Sequence, residues 1–147
     1  MSMKIFNPTM QKFGAPDSII HQLEYWSVLL RPAQPTLGSL VLIAHEPVHA
    51  FSMLSAASFA ELHSVTGQIE SALKKAFQYE KLNYLMLMKV DPDVHFHVIP
   101  RYAQDQQFGG LTFIDAGWPG QPALDRINPT DTTIHQLLKA KLQSYWE

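Results

Sequence analysis

The sequence predicts an α+β domain on a mainly antiparallel five-stranded sheet with two helices. Three observations lead there. Short aromatic and aliphatic runs are bounded by Pro, Gly and Asp turns, and the links between them suit hairpins rather than crossovers. Two amphipathic stretches also interrupt the strands, one midway along the chain and one at its end.

Taken in order, Tyr25 to Leu30 is a strand that stops at Arg31-Pro32, where proline removes a ladder donor. Pro32 to Gly38 is a loop, and Ser39 to Ala44 a second strand that pairs with the first as a hairpin. Ser58-Phe59-Ala60-Glu61 fits a capping box, so a helix is expected to begin there, with Leu62, Val65, Ile69, Leu73 and Phe77 as its apolar stripe. Tyr84 to Met88 reads as a third strand, Asp91-Pro92-Asp93 as a turn, and the alternating Val94 to Tyr102 as a fourth, again in a tight hairpin. A loop-rich tail from about residue 103 carries one short strand at Leu111 to Ile114. It ends in a helix at about 130–146, marked by Ile134, Leu137, Leu138, Leu142 and Tyr145.

At 147 residues, 46% hydrophobic and 16% charged, the chain is expected to be one domain, 1–147. It contains no cysteine, which removes thiolate metal sites and thiol nucleophiles. Its formal charge of −2 lacks the basic face that extended nucleic acid requires, so no such partner is expected. Met1 to Phe13 lacks the apolar core of a signal peptide, and no apolar run approaches the ~20 residues of a membrane span. A cytoplasmic protein with no membrane partner is the expectation.

The informative run is Asp91-Pro92-Asp93-Val94-His95-Phe96-His97-Val98-Ile99-Pro100-Arg101. On a strand, Asp93, His95 and His97 share one face, while Val94, Phe96 and Val98 point into a core on the other. Three readings of that polar row stand side by side. The histidines are ordinary hydrogen-bonded strand residues; or with Asp93 they hold zinc or a similar ion; or one attacks phosphorus while the other supports the departing oxygen.

The wider pattern, Asp93-x-His95-x-His97-Val98-Ile99 followed by Pro100-Arg101, resembles the signature of the histidine triad (HIT) family in its fragile-histidine-triad form, with Asp93 in place of the first histidine. The similarity runs from about Trp26 to Tyr102 and includes Leu37 to Val48 and the central helix. It implies a HIT-like fold in which two sheets join across a homodimer. It also implies a nucleotide hydrolase cleaving dinucleoside polyphosphates such as diadenosine tetraphosphate at the α-phosphate, with nucleoside phosphoramidates or a non-catalytic binding module as alternatives. Carried onto this chain, His95 is the nucleophile, His97 supports phosphate and leaving group, and Asp93 completes the catalytic row. Leu29, Arg31, Ser39, Val41 and Lys89 fall at nucleotide-binding positions. Arg31 stands where many members carry an Asp or Asn that holds ribose hydroxyls, and is expected to contact a phosphate or base, or to pair with Asp93. Ser39 stands where a further histidine often sits. No cofactor and no protein-held metal are implied for the chemistry, with magnesium entering only as a substrate complex.

Other candidates read as structural. His45 and His49 are surface or capping residues, Met86 and Met88 sheet packing, Trp118 a loop anchor and Arg101 a strand-end cation. P-loop glycines, Gly-x-Ser-x-Gly and His-Glu-x-x-His are all missing, so kinases, serine hydrolases and zincins lose their simplest support.

Overall fold

A computed structural model describes residues 6–146, so the reading of Met1 to Phe13 as free of a leader lies partly outside the described residues. The main sheet contains β1 (Ile19–Gln22), β2 (Trp26–Leu30), β3 (Leu40–Ala44), β4 (Lys81–Leu85) and β5 (His95–Arg101). They lie in the order β1-β2-β3-β5-β4, every pair antiparallel. Three α-helices, α1 (Pro8–Lys12), α2 (Ala56–Phe77) and α3 (Thr132–Ser144), accompany it. A separate hairpin joins β6 (Gln106–Phe108) to β7 (Leu111–Phe113).

The predicted fold class therefore holds, and the strand alternation explains where the core sits. From one face of the sheet Val28, Leu30, Leu40, Leu42 and Val98 pack with Val65, Ile69 and Leu73 of α2 and Leu138 and Leu142 of α3. On the other face Leu29, Val41 and Ile43 pack under Met10 and Phe13. Residues 29, 41 and 97 lie in register across three strands, so the second face is the one that carries the histidines.

Several expectations need correction. The fifth strand of the sheet is β1, not Leu111 to Ile114, which supplies β7 of the small hairpin. A third helix, α1, precedes it; Asn7 caps it by accepting from the Met10 amide, and Pro8 occupies its first turn. α2 begins earlier than the capping box at Ser58: Ser55 is its cap and accepts from Ser58 N at 3.1 Å. Ser58 is instead buried and donates its hydroxyl to Glu46, while Glu61 accepts the amides of Glu24 and Tyr25. The third strand is shifted back to Lys81–Leu85, because its ladder with β5 ends at Leu85↔His97. Met86 and Met88 thus lie past the end of the strand, where they pack against the core as expected and also wall a cavity, and the link to β5 is a loop rather than a tight turn.

The loop after β2 is held by buried Gln34, whose carbonyl oxygen accepts from the Gly38 and Ser39 amides and whose amide donates to the Arg31 and Ser39 carbonyls. Gly38 has φ +83°, and a Cβ there would lie 2.8 Å from the Phe77 ring. The tail is tied back at several points. Asn128 donates to the Gln34 and Pro35 carbonyls, and buried Arg101 makes a two-pronged ion pair with Asp115 at 2.7 and 3.1 Å. Arg101 is thus not the strand-end cation the sequence suggested, and Trp118 rests over its guanidinium at 5.9 Å, as a loop anchor does.

Candidate active site

β5 presents His95 and His97 from one face, with ring centroids 5.2 Å apart and nearly perpendicular planes. His95 is fully buried, and its Nδ1 lies 2.7 Å from the Asp93 carbonyl oxygen. A carbonyl only accepts, so Nδ1 carries a proton, and of the two neutral tautomers this one keeps its lone pair on Nε2. That Nε2 is buried with no hydrogen-bond partner among the described residues. The sequence thereby fixes a tautomer: a turn residue two positions back offers its carbonyl to the first strand histidine.

His97 is 6% exposed. Its Nδ1 is likewise buried without a partner among the described residues. Burial first, then the positive charge of Arg31 and the neighbouring His95, push its pKa down to about 4. It is therefore neutral at physiological pH and able to donate one N–H. Phe13 covers both rings, 5.7 Å from His97 and 6.4 Å from His95.

A cavity of about 630 Å³ opens beside His97. Lys12, Arg31 and Lys89 bring positive charge to its wall, and Met86, Met88 and Leu124 make it apolar elsewhere. Such a mixture suits a ligand with an apolar ring and an anionic group. Lys12 is bridged to Asp91 at 2.8 Å, which ties α1 to the loop before β5.

The sequence-predicted residues separate into groups. His97, Arg31 and Lys89 meet at the cavity, with His95 directly behind His97. Leu29 and Val41 are wholly buried beneath Met10 and Phe13. Ser39 is also buried, and its hydroxyl donates to the Thr36 carbonyl at 2.9 Å. The Asp93 carboxylate points at α1, accepting from the Thr9 hydroxyl at 2.8 Å and the Thr9 amide at 3.3 Å. It neither pairs with Arg31 nor converges with the two histidines, and no group of three metal-ligating side chains forms among the described residues. His45 bonds the Ser27 hydroxyl and the Glu24 carbonyl, the structural role expected of it, and His49 is exposed.

Sequence reasoning missed Thr9, Lys12 and Phe13. The only signal was Asn7-Pro8, a cap followed by proline at the first helical position, in a segment too short to show periodicity.

The site is thus an x-His-x-His strand lying between β3 and the edge strand β4 of a five-stranded antiparallel sheet, with a buried imidazole whose Nδ1 faces a backbone carbonyl. The HIT domain family model matches residues 12–104, and the chain belongs to that family. Its fold is similar to a histidine triad protein of Sinorhizobium meliloti, at 22% identity over 96% of each chain, TM-score 0.75. It is also similar to a histidine triad protein of Bradyrhizobium japonicum, at 21% identity over 97% of this chain and 98% of that one, TM-score 0.73. A hypothetical histidine triad nucleotide-binding protein of Sulfolobus tokodaii aligns at 18% identity over 87% and 82%, TM-score 0.66. A search of curated proteins finds none that matches the sequence. No helix among the described residues is long and apolar enough to cross a membrane.

Proposed function

We propose that the protein hydrolyses a nucleotide at its α-phosphate through a nucleotidyl intermediate on His95, with dinucleoside polyphosphates such as diadenosine tetraphosphate as the substrate class. The observation that carries this is the hydrogen bond from His95 Nδ1 to the Asp93 carbonyl, which directs the lone pair of Nε2 outward from the strand. Nε2 attacks phosphorus and forms a P–N bond, while the P–O bond to the leaving group breaks and that oxygen takes its electron pair. A neutral His97 donates an N–H hydrogen bond to a phosphate or leaving-group oxygen, and water then cleaves the P–N bond. The likeness to the fragile-histidine-triad branch supports the same substrate class.

In this reading Arg31 and Lys89 meet the anionic substrate, and magnesium arrives only with its phosphates. Leu29, Val41 and Ser39 act from beneath, as the floor that supports Phe13 and the strand ends. Phe13 has to swing off the imidazoles before phosphorus reaches Nε2. Asp93 is a positioning residue: its carbonyl orients His95 while its carboxylate holds α1. A homodimer would form along β4, the edge of the sheet opposite β1, against which α3 packs.

The burial of His95 under Phe13 favours one second reading, a nucleotide-binding module without turnover. Cleavage of diadenosine tetraphosphate by wild type and His95→Ala separates the two. Turnover should fall by at least ~10³-fold in the variant, with nucleotide binding kept. Equal turnover in both proteins would refute His95 as nucleophile, and binding by wild type without turnover on polyphosphates or phosphoramidates would establish the module.

A further inference from the structure

Arg31 lines the cavity together with His97, and the attack at His95 leaves open which anionic group of the substrate it meets. It stands just past the end of β2, two residues beyond Leu29, and Leu29 is in register through Val41 with His97. Arg31 and His97 therefore sit over one face of the sheet, two strand spacings across and two residues along, roughly 12 Å apart along the backbone. Nη1 donates to the Ala33 carbonyl at 2.8 Å, which tethers the guanidinium at the loop end of the sheet, away from His95. Nε is buried with no partner among the described residues. None of the ion pairs among those residues involves Arg31. The carboxylate on the same cavity wall, Asp91, is bridged to Lys12 rather than to Arg31, and the guanidinium is partly buried, which lowers its pKa. Such a group costs stability unless something anionic completes it. The cavity is the space into which an anion would come, because Arg31 lines it together with His97.

We infer that Arg31 is a second anion-binding group of the histidine site, and that the cognate nucleotide carries a further phosphate, beyond the one attacked by His95, which Arg31 neutralises. The inference rests on the nucleotide-site reading but not on turnover. That further phosphate belongs either to the phosphoanhydride chain or to the ribose.

The test is equilibrium binding of AMP, ADP and adenosine 3′,5′-bisphosphate to wild type, Arg31→Gln and Arg31→Lys, with folding of each checked by its thermal transition. Wild type should bind ADP or the 3′,5′-bisphosphate at least about tenfold more tightly than AMP, as expected for one charge-assisted contact. That ratio should collapse to within about twofold in Arg31→Gln and be partly restored in Arg31→Lys. Preference for ADP assigns the phosphate to the chain, and preference for the bisphosphate assigns it to the ribose. A ratio unchanged in Arg31→Gln, or no preference in wild type that still binds AMP, overturns the role of Arg31 alone. Failure of all three ligands to bind overturns the nucleotide-site reading with it.

Discussion

At the scale of single residues, the two histidines of β5 are made different by their neighbours rather than by their own chemistry. His95 has its proton placed by a carbonyl, whereas His97 is held neutral by burial and by the Arg31 charge. The second effect has a consequence for stability. With a folded pKa of about 4 against 6.5 for the free group, the unfolded chain takes up a proton between those values that the folded chain refuses. Stability should therefore fall as pH drops from about 6.5 toward about 4, and His21 and His135, both lowered by burial, act in the same direction. Urea unfolding at pH 7 and pH 5 measures this loss. In His97→Gln it should shrink by up to about one proton's worth of linkage. A loss equal to that of wild type would contradict the assignment.

At the scale of elements, α1 matters most, and it was the least legible. A five-residue helix is far below the length that is stable alone in water. It exists because Asn7 caps it, because Thr9 donates twice to Asp93, because Lys12 pairs with Asp91, and because Met10 and Phe13 bury against Leu29, Val41 and Ile43. All but the cap are long-range contacts that periodicity does not reveal. β2, β3 and α2 were readable because aromatic and β-branched runs, or a three-and-four stripe, report directly on which face is buried. β4 was misplaced for the opposite reason: Met86 to Met88 is apolar like a strand but lines a cavity. Asp93 was legible as a member of the polar row, yet its side chain serves α1. Asp93→Ala should cost about 1.5–3 kcal/mol in urea unfolding, as expected for hydrogen bonds to a charged group. It should also speed amide exchange across Met10 to Phe13. Unchanged exchange there would show that α1 is held without it.

At the scale of the whole molecule, the sheet is covered on both faces, but by unequal partners. α2 and α3 bring large apolar side chains to one face, while among the described residues the histidine face is covered by the short helix α1 and its flanking Phe6, Phe13 and Ala15. The side that must admit a ligand is thus the side that needs the fewest contacts broken. The family is shown by the match over residues 12–104, whereas the choice of substrate by cavity residues such as Arg31 is what we propose. The central claim is that His95 Nε2 forms a covalent bond to phosphorus, and it is tested most directly by trapping that bond. Wild type and His95→Ala would be mixed with diadenosine tetraphosphate labelled at the α-phosphorus, quenched in base during turnover, digested and mapped by mass spectrometry. The account predicts a nucleotidyl group on the peptide containing His95 in wild type and none in the variant. Rapid turnover with no labelled peptide, or label carried on His97, would contradict it.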